Sequence, residues 1–140
     1  MLKRQHEARR GVMEILRIED MMTADHLLRK VDTAINFNHL YDFVGQLYCK
    51  ENGLHSLDPV VLFKIMLTQH LFDIPSLRRT MAETQVNVAY RWFLRYVLSD
   101  ELPHFSTVSY NFYHRYSAQT IEHVFEWILT ESSSVECLSP

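Results

Sequence analysis

Residues 56–72 read "SLDPVVLFKIMLTQHLF", and this stretch decides the fold. Asp58 suits a helix N-cap, and Pro59 at the first helical position sacrifices no hydrogen bond. Val60, Val61, Leu62, Phe63, Ile65, Met66, Leu67, Leu71 and Phe72 leave the helix apolar almost all round, interrupted at Lys64. A helix of that kind is covered on several sides by others. It should end near Asp73, because Pro75 disfavours helical geometry at Ile74.

The flanking sequence supplies the covering helices. Upstream, Leu27, Leu28, Val31 and Ile35 fall on one helical face, with Thr23 or Asp25 placed to cap it. "FNHLYDFVGQLYC" at 37–49 continues with Phe37, Leu40, Tyr41, Val44, Leu47 and Tyr48, and Gly53 follows as a C-cap. Downstream, Ser76 caps "LRRTMAETQV". "NVAYRWFLRYVL" then turns Val88, Trp92, Phe93, Tyr96 and Val97 inward, with Asn87, Arg91 and Arg95 on the opposite stripe. After a break at 99–104, Ser106 caps "STVSYNFYHRY", and Phe105 is placed to pack on Tyr110 as a hydrophobic staple. Around Thr120–Glu131, Ile121, Val124, Phe125, Ile128 and Leu129 oppose Glu122 and Glu126. The expected fold is all-α, a compact bundle of about six or seven helices. Helix-turn-helix-like elements are expected at Ile74–Ser76 and Leu102–Ser106.

Composition agrees. Three glycines and four prolines in 140 residues are too few to punctuate a many-stranded sheet. Cys49 and Cys137 form no CxxC pair, which fits a reducing cytoplasm and implies neither a zinc site nor a disulfide framework. The start "MLKRQHEARRGV" lacks the apolar core of a signal peptide, and no run approaches the ~18 apolar residues of a membrane span. Net charge is −3 but uneven. Residues 1–17 hold five basic and two acidic side chains, whereas residues 101–140 hold one and five. The expected organisation is a basic N-terminal segment at 1–17, a helical domain at 18–131 and a frayed tail at 132–140.

Enzymatic signatures are sparse. Eight histidines show no HExxH and no i, i+4 pair, so scattered surface or capping histidines account for them better than a metal site. No Gly-rich phosphate loop and no Gly-x-Ser-x-Gly occur. The arginines carry more information. Arg78 and Arg79 open one short helix, and Arg91 and Arg95 share a stripe on the next; guanidinium holds phosphate bidentately, and the competing reading of the set is a solvated face. In the helix after Phe105, Val108 and Phe112 should face the core. Ser109, Asn111, His114 and Arg115 should then project outward, where Asn and Arg reach base edges or phosphates.

Four blocks, "DHLLRKVDTAINF", "LDPVVLFKIMLTQHLF", "NVAYRWFL" and "PHFSTVSYNFYHR", occur in this order between residues 25 and 115, within a likeness that covers about residues 10–125. Their order and spacing resemble the N-terminal, InsH-like domain of bacterial insertion-sequence DDE transposases. The resemblance implies a helical domain that helps recognise the element's terminal inverted repeats, with a ribonuclease-H-like catalytic domain following it. The family's first catalytic aspartate lies beyond the segment matching Ile121–Leu129. Here "ESSSVECLSP" follows instead, so the expectation is a truncated reading frame without metal-binding acids, cofactor or strand chemistry of its own.

There are departures as well. Gly53, Leu54 and His55 stand where Gly-Arg-Pro is usual, and Arg95 stands where a glycine is usual. Tyr110, Asn111, Tyr113 and His114 replace several arginines, leaving Arg115 alone in that helix. The implied partner is double-stranded DNA, met through Arg78, Arg79, Arg91, Arg95, Ser106, Thr107, Asn111, His114 and Arg115. The competing expectations are a protein-interaction fragment that pairs with full-length transposase or with itself and inhibits, and a remnant without function.

Overall fold

The computed structural model describes residues 9–44 and 57–132. Every regular element among them is helical. A 3₁₀ turn at Ile18–Met21 leads to α1 (Leu27–Ala34), and a second at Phe37–His39 leads to α2 (residues 40–44). Then come α3 (Pro59–Leu71), α4 (Leu77–Val86), α5 (Val88–Leu94), α6 (Phe105–Arg115) and α7 (Ala118–Ser132). The expected C-cap at Gly53 and the departure at 53–55 lie outside the described residues. None of the described helices is long and apolar enough to cross a membrane.

The central helix is α3, as the sequence predicts. The Asp58 carboxylate accepts from Val60 N at 2.7 Å, and Pro59 occupies the first turn. Leu62, Phe63, Ile65 and Leu67 are buried on different sides of the helix, which packs against α4, α5 and α6. Phe63 anchors an aromatic cluster, with ring centroids 5.2 Å from Phe112, 5.3 Å from Tyr116 and 5.8 Å from Phe125. Each such pair adds about 0.5–1.5 kcal/mol beyond area burial. One residue of α3 therefore joins α6 to α7.

Two helices close with the same motif. After α3, Asp73 takes a left-handed conformation (φ 52°), Ile74 N donates to Gln69 O at 2.9 Å and Asp73 N donates to His70 O at 3.3 Å. After α5, Arg95 does the same (φ 69°), with Tyr96 N to Arg91 O at 2.9 Å and Arg95 N to Trp92 O at 3.2 Å. These are Schellman closures built without glycine, in a chain that has only three glycines. Position 95 demands positive φ, which glycine adopts at the least cost.

Several boundaries differ from the sequence reading. The cap of α1 is His26, whose Nδ1 accepts from Leu28 N at 3.0 Å, rather than Thr23 or Asp25. Likewise α6 starts at Phe105 with His104 as its cap, Nδ1 accepting from Ser106 N at 3.1 Å. Ser106 is therefore inside the helix. The proposed staple is absent, because Tyr110 points to solvent. Segment 37–49 was expected to be one helix but begins with a 3₁₀ turn capped by the Asn36 side chain. The helix at 87–98 stops at Leu94, so Val97 is exposed instead of inward. Asn87 alone separates α4 from α5, and its side chain accepts from Tyr90 N at 3.0 Å.

Candidate nucleic-acid interface

Packing of α4 against α6 brings Arg78 to the beginning of α6. Its guanidinium lies 5.3 Å from the centre of the Phe105 ring, and the His104 imidazole is 4.4 Å from the same ring. Arg78, Arg79 and Ser106 are all exposed here, and Thr107 is half-buried. Ser76 sets the start of α4 by accepting from Arg79 N at 3.1 Å. The Arg79 side chain is paired with Glu83 at 3.3 Å, an exposed i, i+4 contact. Such pairs contribute about 0.2–1 kcal/mol and are readily exchanged for another anion. The positive end of the α6 dipole adds to the two cations.

Arg91 does not belong to this surface. Expected on an outward stripe, it is buried, and its guanidinium is consumed by main-chain carbonyls. Nε donates to Gln85 O at 3.2 Å, and Nη1 donates to Val97 O at 2.8 Å and Asp100 O at 3.2 Å. The reason is the early end of α5: the chain turns back at Arg95, and the 97–100 turn offers carbonyls to the arginine one turn earlier. Arg91 ties the segments on either side of α5 together.

Asn111 is also inward, where an outward position was expected. It is buried, its Nδ2 donates to Thr107 O at 2.8 Å, and its Oδ1 accepts from Leu57 N at 3.4 Å. The buried face of α6 is 108, 111, 112, 115 and 116, the i, i+3, i+4, i+7, i+8 stripe. Arg115 on that stripe is half-buried. His114 is exposed and stacks on Tyr110 at 4.1 Å, with Tyr113 equally open to solvent. The outer face of α6 is thus aromatic rather than cationic. Tyr110 and Tyr113 were not among the expected site residues, although their place outside the 108/112 stripe was legible.

Arg95 lies elsewhere, in an open cleft of about 750 Å³ between the end of α1, the start of α3 and the end of α5. Asp32, Asn38, Tyr41, Asp58 and Lys64 also line it. Asp58 is held by Tyr41 Oη at 2.6 Å. Lys64 is almost fully buried, yet it remains satisfied. Its ammonium donates to Phe93 O at 2.9 Å and Asp32 Oδ1 at 3.4 Å, and sits 4.7 Å from the rings of both Phe37 and Phe93. Burial lowers its pKa below the usual lysine value, opposed by Asp32 and assisted by Arg95. Tyr96, at the same cleft, is raised above the usual tyrosine value by burial and by Asp100 and Asp58. The lone lysine inside an apolar run was the available signal for this buried cation.

The five expected arginines therefore separate into four places: Arg78 and Arg79 on α4, Arg115 half-buried at the end of α6, Arg91 inside, and Arg95 at the cleft. Among the described residues, no three His, Cys, Asp or Glu side chains gather closely enough to hold a metal ion.

Comparison with curated proteins finds no match, and comparison with solved structures finds none either. A protein-family model described as "Transposase domain (DUF772)" does match, over residues 16–115. That span takes in both 3₁₀ turns and runs to the last residue of α6, the elements that build the α3-centred bundle. On this match the chain belongs to the DUF772 transposase domain family.

Proposed function

We propose that the chain is the DNA-binding module of an insertion-sequence transposase and recognises the element's terminal inverted repeats without cutting or joining DNA itself. The observation that carries this reading is the seating of Arg78 on Phe105 at the start of α6, with Arg79 next to Arg78 in α4 and Ser106 and Thr107 following Phe105 in α6. Guanidinium groups next to the positive end of a helix suit a phosphate backbone. The exposed ring face of Tyr110, Tyr113 and His114 continues from it along α6. Its rings and hydroxyls suit contact with sugar and base edges. Arg95 supplies a further phosphate contact from the cleft. In this reading residues 18–131 form the DNA-binding body, and the basic segment 1–17 adds non-specific attraction to the polyanion.

Gel-shift titration decides it. The full chain should bind duplex containing the element's end sequence more tightly than a scrambled duplex at the same salt. Equal affinity for both removes end recognition, and no binding near physiological salt removes the function altogether.

A further inference from the structure

Two apolar surfaces lie open among the described residues. The first is the segment "VMEIL" at 12–16, which forms no helix and leaves its apolar side chains in water. Met13 is 95% exposed and Ile15 103%. In an extended chain these two share a face. The second surface is an apolar groove of about 430 Å³ between the C-terminal half of α3 and α7, lined by Met66, Leu67, Ile74, Phe125, Ile128 and Leu129.

Charge favours pairing of the two surfaces. Arg9 and Arg10 precede the apolar segment, whereas the groove is bordered by Asp73 and by α7, which carries Glu122, Glu126 and Glu131 and no Lys or Arg.

We infer that residues 12–16 of one copy occupy the α3–α7 groove of a second copy, making a reciprocal dimer. Met13 and Ile15 fill the groove, and Arg9 and Arg10 approach Asp73 and Glu126. A two-fold arrangement uses each arm and each groove once, so the contact closes at two copies. Neither surface overlaps the Arg78–Phe105 face; only Arg9 and Arg10 are shared with the non-specific attraction assigned to segment 1–17.

Sedimentation equilibrium of the full chain tests this. The wild type should have twice the mass of one chain. The arm variant Met13→Asp/Ile15→Asp and the groove variant Leu129→Asp should each weaken self-association by more than about tenfold. All three altered residues are exposed, so circular dichroism should stay unchanged, and each variant should melt where the dilute wild type does. Mixing the two variants should restore a heterodimer, because one intact arm then meets one intact groove. A wild type that remains monomeric overturns the inference, as does a dimer that both variants leave intact or a mixture that stays monomeric. Arm and groove meeting within one chain would give that first result, with the arm protected from proteolysis.

Discussion

The Lys64 ammonium donates to the carbonyl oxygen of Phe93 at 2.9 Å while lying over the Phe93 ring. A cation from the central helix thus closes the last turn of α5 from inside the core. Because burial lowers its pKa below 10.5, the unfolded chain holds the Lys64 proton to higher pH than the folded chain does. Between those two values the unfolded state binds more protons, so stability rises with pH. Below the folded value the penalty of the buried charge is fully present. Tyr90 and Tyr96, both raised above 10.0, act in the opposite sense from about pH 10 upward. Urea titrations from neutral pH to about 9.5, below the tyrosine range, should show this rise in the wild type. Lys64→Met should abolish the rise and, at pH 7, cost about 1–3 kcal/mol, because it leaves the Phe93 carbonyl and the Asp32 carboxylate without their donor. Lys64→Ala, which also opens a cavity, should cost about 3 kcal/mol.

Arg91 should behave as a structural residue. Arg91→Met strands the carbonyls of Gln85, Val97 and Asp100 and should cost about 2–4 kcal/mol. Hydrogen exchange should quicken at Asp100, whose amide is bonded to Val97 O. Whatever folded protein remains should keep the wild-type salt dependence of DNA binding.

Arg78 and Arg79 should show the reverse pattern. Each replacement by Ala should leave the thermal midpoint within about 2 °C, as surface changes usually do. Each should also lower the slope of log affinity against log salt by about 0.9. A gel shift repeated over several salt concentrations reads the slope directly.

The left-handed closures offer gain rather than loss. Arg95→Gly and Asp73→Gly relieve a positive φ that disfavours side chains and should each stabilise by about 0.5–1 kcal/mol. Chemical denaturation measures it. For Arg95→Gly a weaker DNA affinity should accompany the added stability, since the same change removes a cation from the cleft.

Local signals were legible in the sequence where they act within one turn. Asp58–Pro59 and Ser76 begin α3 and α4 as read, and the all-round apolar pattern of α3 places it at the centre. Reading failed where a side chain's fate depends on chain returning from elsewhere. Nothing local at Arg91 announces that carbonyls at 97 and 100 will fold back onto it. Asn111 failed for another reason: a stripe drawn through Val108 and Phe112 alone is too narrow, and the i+3 position belongs to it. The histidine caps at His26 and His104 were passed over because serine, threonine and aspartate stood nearby, yet an unprotonated imidazole nitrogen accepts the same N–H.

Since one guanidinium spans from residue 85 to residue 100, the number of residues between those points is fixed by the reach of a single side chain. Insertions and deletions among related chains should therefore spare 85–100, while the Glu101–Pro103 connection to α6 tolerates them. A homologue that has lengthened the turn at 97–100 should also have given up the arginine.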